Sequence, residues 1–162
     1  MPSLAAQPNT LDEVCCMTII VRSLRPEDHS AWLPLWEQYL AYHGVWPDQA
    51  PPETWLRLMD PNEPVHGVGA FTGDRLDGIA HFIFHRHTWT ARDVCFLSDV
   101  FTAREARTQG VGRALVEAVF ALAKVAGAAH VYGTTLAGNA ISRILYDKIA
   151  KPLNVVVYRK VF

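Results

Sequence analysis

The most informative stretch of the sequence is Arg107-Thr108-Gln109-Gly110-Val111-Gly112-Arg113-Ala114. Two glycines one residue apart let a ligand approach the backbone closely, and the N–H groups that begin a following helix can bind a phosphate. The same pattern also fits a tight turn ahead of a helix, and the stretch alone leaves both interpretations open. It is not a dinucleotide-binding fingerprint, because Leu115 occupies the third glycine position, and no Gly-Lys-Ser/Thr follows as in a Walker loop.

The chain on either side of this loop predicts a mixed α/β domain. Apolar residues with helical spacing between Trp32 and Leu40 indicate a first helix, and the other helices are predicted at Pro51–Met59, Gly110–Ala126 and Asn139–Ile149. Strands are predicted at Thr18–Ser23, Val65–Thr72, Asp77–His87, Arg92–Thr102, His130–Thr135 and Val155–Val161. The order is β-α-α-β-β-β-α-β-α-β, and its three central strands form an antiparallel meander.

Composition excludes several classes of protein. A chain of 162 residues, 50% hydrophobic and 19% charged, suits one globular domain. We therefore predict a flexible arm over residues 1–16 and a single domain over residues 17–162. With 15 Lys and Arg against 16 Asp and Glu, the chain lacks the basic excess of a nucleic-acid binder or a polybasic membrane-surface protein. No apolar run reaches the length of a membrane span.

The cysteines and histidines do not predict a disulfide framework or a metal site. Cys15 and Cys16 are adjacent, Cys95 stands alone, and no histidine pairs with them at zinc-ligand spacing. We expect a cytoplasmic protein that needs no metal.

The motifs on either side of the glycine loop favour the ligand-binding interpretation. The pattern R-x-x-G-x-G after the meander, followed by N-x-x-S-x-x-x-Y at Asn139, Ser142 and Tyr146, resembles the GNAT superfamily of acetyl-CoA-dependent N-acetyltransferases. The resemblance covers Thr18 to Phe162, and Phe96–Thr102 is most similar to the spermidine/spermine acetyltransferase branch and its bacterial relatives. It implies a mixed, mostly antiparallel sheet flanked by helices, with acetyl-CoA as co-substrate.

The resemblance also implies a cofactor site. The backbone of Val100, Phe101 and Thr102 would pair with the pantetheine arm, and the Val100 N–H would be the oxyanion donor. The pyrophosphate loop would comprise Arg107, Thr108, Gln109, Gly110, Val111, Gly112 and Arg113, with Asn139 and Ser142 contacting the arm from the other wall. Tyr146 would be the general acid for the thiolate, since a phenol stays protonated at neutral pH; the alternative is a core tyrosine.

The general base is less clear from the sequence. Polyamine-acetylating relatives place a glutamate where this chain has Ser98, so Asp99 is the nearest carboxylate that could accept a proton. Asp99 could equally be a structural cap or an ion-pair partner, and strand alternation lets only one of Ser98 and Asp99 face the cleft. His81 and His85 share a strand face and could relay a proton, or they could be buried and hydrogen-bonded.

The acceptor site is expected around the first two helices. Tyr39, Trp46 and Glu53 combine aromatic rings with a carboxylate, which suits a cationic amine, and His81 and Ser98 complete the predicted substrate-binding set. We expect direct attack, within a ternary complex, by the primary amine of a small molecule: a diamine or polyamine, an amino acid or an aminoglycoside-like compound. The alternatives are a protein lysine or N-terminal acetyltransferase and a non-catalytic acyl-CoA sensor. Related proteins are often dimers, so a homodimer is expected.

Overall fold

The computed structural model describes residues 18–45 and 52–162, which form a five-stranded sheet flanked by helices. The strands are β1 (Ile19–Ser23), β2 (Val65–Thr72), β3 (Arg75–His87), β4 (Thr90–Thr102) and β5 (Val131–Gly133), in that order across the sheet. The helices are α1 (His29–Tyr42), α2 (Glu53–Met59), α3 (Val111–Val125) and α4 (Ala140–Ile149). The first four strands are antiparallel and β5 runs parallel to β4, which confirms the predicted mixed, mostly antiparallel sheet.

Helices cover both faces of the sheet. On one face α1 packs its Trp32 against His81 of β3, with 5.9 Å between the ring centroids. On the other face α3 lies directly against β3 at Gly78, where an added Cβ would come within 2.9 Å of Val111 and 3.0 Å of Leu115. Glycine at residue 78 therefore sets the close approach of α3 to the strand.

The long helix α3 follows the glycine loop as predicted. Its buried stripe comprises Val111, Leu115, Val116, Val119 and Ala123. Helical spacing from Val111 also predicts Leu122 and Ala126 on this stripe, but both are exposed. Gly110, immediately before the helix, has φ of +89°, a left-handed conformation that glycine adopts without steric strain. The described helices include none that is long and apolar enough to cross a membrane.

The strands β4 and β5 part after a short contact. They pair only from Cys95 opposite Val131 to Leu97 opposite Gly133. Beyond that point, over residues 98–102, β4 remains paired with β3, but no strand of the described chain lies along its other edge. Unpaired strand edges of this kind can bind an extended ligand as an additional strand.

A β-bulge interrupts β4 at the same place. His81 of β3 lies opposite Asp99, whereas the next residue, Phe82, lies opposite Leu97. Ser98 is therefore the extra residue of the bulge, and strict alternation of side chains fails between Leu97 and Asp99.

The predicted closing strand Val155–Val161 is wrong. Residues 150–162, called the C-terminal segment below, form neither helix nor strand and are exposed throughout, with Val156 75% and Tyr158 91% accessible. β-branched residues form a strand only where the segment pairs with a strand edge and packs on a surface, and residues 155–161 do neither within the described part of the chain. The arm predicted over residues 1–16 lies outside the described residues, as does Trp46.

Candidate active site

The centre of the site is the carboxylate of Asp99, beside the bulge in β4. Tyr39 of α1 donates its hydroxyl to one carboxylate oxygen at 2.7 Å, and Nδ1 of His81 lies 3.1 Å from the other. Burial opposes ionisation of Asp99, but the hydrogen bond from His81 and the electrostatic interaction with it, followed by the hydrogen bond from Tyr39 and a smaller contribution from the nearby Ser98 hydroxyl, hold the pKa of the carboxyl below its ordinary value. Asp99 is therefore a fixed anion where β4 and β5 separate.

His81 is linked to the helix layer as well as to Asp99. The residue is only 2% exposed, and the indole Nε1–H of Trp32 donates to its Nε2 at 2.9 Å. Both ring nitrogens of His81 are thus occupied by protein groups.

A stack of aromatic rings along α1 forms one wall of the site. Its members are Trp55, Trp32, Trp36 and Tyr39, with successive ring centroids 4.8, 5.8 and 5.4 Å apart. Phe101 of β4 meets Tyr39 edge-on at 6.2 Å. Tyr39, at one end of the stack, contacts Asp99, and aromatic π faces of this kind attract a cation.

Two phenols belong to this region: Tyr39 on α1 contacts the carboxylate, and Tyr146 on α4 lies close enough to Tyr39 to affect its pKa. Burial raises the pKa of Tyr146 above its ordinary value. The pKa of Tyr39 is raised by burial, by the negative charge of Asp99 and its hydrogen bond, and by the proximity of Tyr146. Both hydroxyls therefore carry their protons at neutral pH and are hydrogen donors.

The glycine loop continues from the unpaired end of β4. Arg107 reaches back to the Thr102 carbonyl oxygen at 3.3 Å, and Thr108 adopts a left-handed φ of 64°. The first hydrogen bond of α3 runs from the Ala114 N–H to the Gly110 carbonyl at 2.9 Å. The N–H groups before Ala114 have no partner in the helix and form a positive helix end.

Helix α4 brings the second sequence motif to the same end of the molecule. Asn139 caps α4 by accepting a hydrogen bond from the Ser142 N–H at 3.2 Å. A Cβ added to Gly112 would lie 3.8 Å from Leu145, so α4 packs beside the start of α3. Helix capping accounts for the presence of Asn139 and Ser142 at these positions, and it occupies the side-chain oxygen of Asn139.

The structure gathers some of the predicted site residues and leaves others apart. Tyr39, His81 and Asp99 form one hydrogen-bonded group, and Ser98 lies beside Asp99 on β4. Glu53 is exposed at the start of α2 and makes no ion pair with any described residue. His85 is separate from His81 in its contacts: its Nε2 lies 2.9 Å from the Tyr132 hydroxyl and its Nδ1 2.8 Å from the Arg86 carbonyl oxygen. No group of three His, Cys, Asp or Glu side chains within residues 18–45 and 52–162 is arranged to bind a metal.

The sequence analysis treated Trp32 only as an apolar residue of the first helix and did not predict its hydrogen bond to His81. One signal could have found it: a buried tryptophan has an N–H that needs an acceptor, and a histidine was already expected at the site.

Comparison with known proteins agrees with this architecture. The family model described as "Acetyltransferase (GNAT) family" matches residues 29–150. The chain is 34% identical over 146 residues to a D-amino-acid N-acetyltransferase, HPA3, of Saccharomyces cerevisiae, covering 88% of this chain and 90% of that protein.

Solved structures share the fold at low sequence identity. A ribosomal-protein-alanine N-acetyltransferase from Brucella melitensis biovar Abortus 2308 superposes with a TM-score of 0.75 at 18% identity, covering 90% of this chain and all of that one. The aminoglycoside N-acetyltransferase AAC(6')-Iy in complex with CoA gives 0.74 at 20% identity, covering 88% and 95% of the two chains. With its sheet, its glycine loop and this family match, the chain belongs to the GNAT family of acetyltransferases.

Proposed function

We propose that this acetyltransferase transfers the acetyl group of acetyl-CoA to the primary amine of a small molecule, and that the preferred acceptor is an amino acid. The observation that carries the proposal is the ionised, half-enclosed carboxylate of Asp99 beside the unpaired edge of β4. An anion there suits an incoming ammonium group, and the unpaired edge suits an acyl-pantetheine arm.

The cofactor would lie along β4 and end at the glycine loop. Backbone groups of Val100, Phe101 and Thr102 would pair with the pantetheine arm, and the helix end at residues 109–113 would hold the pyrophosphate, with Arg107 adding positive charge. The open edge of β4 and the helix N–H groups that precede Ala114 support this placement.

Gly112→Val tests the cofactor site. Gly112 has space for a Cβ, since the nearest atom would be 3.5 Å away, so the fold should persist. We expect the affinity for acetyl-CoA, measured by calorimetry, to fall at least about tenfold, because the valine methyl groups would occupy the approach to the helix end. Ala121→Val, at an exposed position of the same helix, is the matched control and should bind as wild type. Unchanged affinity in Gly112→Val would reject the loop as the pyrophosphate site.

The proposed reaction is a direct transfer in a ternary complex. Asp99 binds the acceptor ammonium and takes a proton from it, directly or through water, and the amine nitrogen then attacks the thioester carbonyl carbon. The oxyanion that forms is held by the Val100 N–H until the carbon–sulfur bond breaks. Tyr146 donates its proton to the departing thiolate, and the second proton from the original ammonium passes to the Tyr146 phenolate and restores the phenol. The proton held by Asp99 leaves to solvent, so both groups return to their starting forms.

The charge of the site bears on the choice of acceptor. The group around Asp99 contains one carboxylate, because residue 98 is a serine, and the other predicted acid, Glu53, is not part of it. One anion matches one ammonium group, which favours a monoamine such as an amino acid over a polyamine. The 34% identity to a D-amino-acid N-acetyltransferase supports the same class.

The test of the function is release of free CoA thiol from acetyl-CoA in the presence of candidate acceptors. D- and L-amino acids, a diamine, a polyamine, an aminoglycoside and a lysine peptide form the panel. We expect the highest kcat/KM with an amino acid. Highest activity with the peptide would favour a protein acetyltransferase. Tight acetyl-CoA binding without turnover on any acceptor would favour a sensor.

Asp99→Asn and Tyr146→Phe separate the two proposed chemical roles. We expect Asp99→Asn to lower kcat/KM for the amine by about 10²-fold or more, and Tyr146→Phe to lower kcat by a similar factor, because each removes a proton-transfer group. Binding of acetyl-CoA should stay near wild type in both. Asp93→Asn on the same strand and Tyr42→Phe on α1 repeat these substitutions away from the site. Wild-type rates in either site variant would remove that residue from the mechanism.

The protein is further proposed to be a cytoplasmic homodimer in which the C-terminal segment packs against a second copy. The exposed apolar residues of this segment and the short edge strand β5 support the contact. A reducing compartment suits Cys95, which is buried and whose thiol pKa burial raises to about 11. Val156→Asp should convert the dimer to a monomer in sedimentation velocity, whereas Val125→Asp, equally exposed at the end of α3, should not. A wild-type monomer would reject the contact.

A further inference from the structure

Four side chains form a continuous hydrogen-bonded chain from the helix layer into the site. The indole of Trp32 meets Nε2 of His81 at 2.9 Å, Nδ1 of His81 meets one oxygen of Asp99 at 3.1 Å, and the Tyr39 hydroxyl meets the other oxygen at 2.7 Å. Trp32 and His81 are each only 2% exposed, so water cannot readily replace either partner. The order of donors and acceptors along this chain fixes where its protons lie.

The direction of the first hydrogen bond is determined by chemistry. An indole N–H can only donate, so Nε2 of His81 must accept and cannot itself carry a proton. The one ring proton of a neutral imidazole then lies on Nδ1, where it points at Asp99 and is donated to the carboxylate. A second proton on His81 would have to displace the indole N–H from Nε2.

We propose that Trp32 is a positioning residue that holds His81 in its neutral, Nδ1-protonated form, so that Asp99 keeps its full negative charge for the amine acceptor. The proposal rests on the proposed role of Asp99 in binding the acceptor. Without the indole N–H, Nε2 would be free to take a proton, and an imidazolium would form an ion pair with Asp99. That ion pair would cancel the charge that attracts the ammonium group and would make the carboxylate a weaker base.

The surroundings of His81 contain few other groups that could set its protonation. Asp99 on β4 is the charged group that contacts His81. Tyr39 bonds to Asp99, and Tyr146 in turn lies near Tyr39. From α1, His29 stacks on Trp32 at 6.0 Å, on the helix side of the indole. On β2, Gly67 lies opposite His81 with no side chain, and the neighbouring His66 packs on Phe82 and Phe84, whose side chains alternate with that of His81.

The adjacent tryptophan on the same helix provides a matched control. Trp36 is 8% exposed, stacks on Trp32 at 5.8 Å and meets the His81 ring edge-on at 5.0 Å, but its Nε1–H has no hydrogen-bond partner among the described residues. Trp32→Phe and Trp36→Phe therefore remove the same atoms from neighbouring buried rings, and only the first removes a donor to His81. Any general effect of a smaller ring on packing appears in both variants.

The first measurement uses the wild-type protein and reads the tautomer directly. Proton–nitrogen correlation spectra of protein labelled with ¹⁵N-histidine distinguish a protonated from an unprotonated ring nitrogen, and a His81→Gln sample identifies the His81 signals by their absence. We expect Nδ1 protonated and Nε2 unprotonated at pH 7. A proton on Nε2 would overturn the proposal without any assumption about catalysis.

The second measurement compares pH profiles. At each pH, the kcat/KM of a variant is divided by that of the wild type. Protonation of the acceptor amine affects both values equally and therefore cancels. An unconstrained histidine gains its charge between pH 5 and 8. We therefore expect the ratio for Trp32→Phe to fall as the pH is lowered through this range, by up to about tenfold per pH unit, and His81 to titrate in its spectrum. The ratio for Trp36→Phe should stay flat.

These outcomes separate the inference from the proposed function. A flat ratio for Trp32→Phe, or an equal fall for Trp36→Phe, would overturn the positioning role. If Trp32→Phe fails to fold, the wild-type spectrum still decides the tautomer. If Asp99→Asn retains wild-type activity, the proposed function of Asp99 fails, even where the spectrum shows the predicted tautomer.

Discussion

The hydrogen-bonding requirement of the β4 backbone shapes both the fold and the proposed site. Every N–H and C=O of a strand needs a partner, and β3 satisfies one edge of β4 along most of its length. The other edge is covered by β5 only from Cys95 to Leu97. The remaining stretch of this edge faces the side on which the glycine loop and α4 lie. In the proposed complex, the cofactor supplies the partners that a longer β5 would otherwise supply.

The second constraint is the cost of burying the Asp99 carboxylate. Taking an ion out of water costs several kcal/mol unless hydrogen bonds replace its hydration, and a hydrogen bond to a charged group contributes about 1.5–3 kcal/mol. The donors to Asp99 come from α1 and from β3, so the same bonds that stabilise the anion also hold α1 against the sheet. Residues of the proposed site therefore also stabilise the fold. The aromatic stack does the same, because it fills the space between α1 and the strands.

Features encoded by local pattern were predictable from the sequence. The glycine loop, the meander and α3 follow from spacing within short windows, and each lies within a few residues of its predicted position. The orientation of Asp99 was not predictable, because it depends on a bulge at Ser98 that exists only through pairing with β3. The hydrogen bond between Trp32 and His81 joins residues 49 positions apart and has no local signal. The strand expected at Val155–Val161 failed for the same reason: its local propensity is strong, but a strand also needs a neighbouring edge.

The identity of residue 98 determines how many carboxylates lie beside β3 at this point of β4. A glutamate there, as the resemblance to polyamine acetyltransferases implies for those relatives, would place a second carboxylate beside Asp99. Two adjacent carboxylates raise each other's pKa, and the pair would suit an acceptor with more than one positive charge. Ser98 instead adds no charge, and its nearby hydroxyl contributes to the lowered pKa of Asp99. The substitution therefore replaces a competing charge with a donor and leaves a single stable anion walled by aromatic rings. A polycation bound there would keep its remaining charges unpaired against an apolar surface, whereas the one ammonium group of an amino acid would be fully matched.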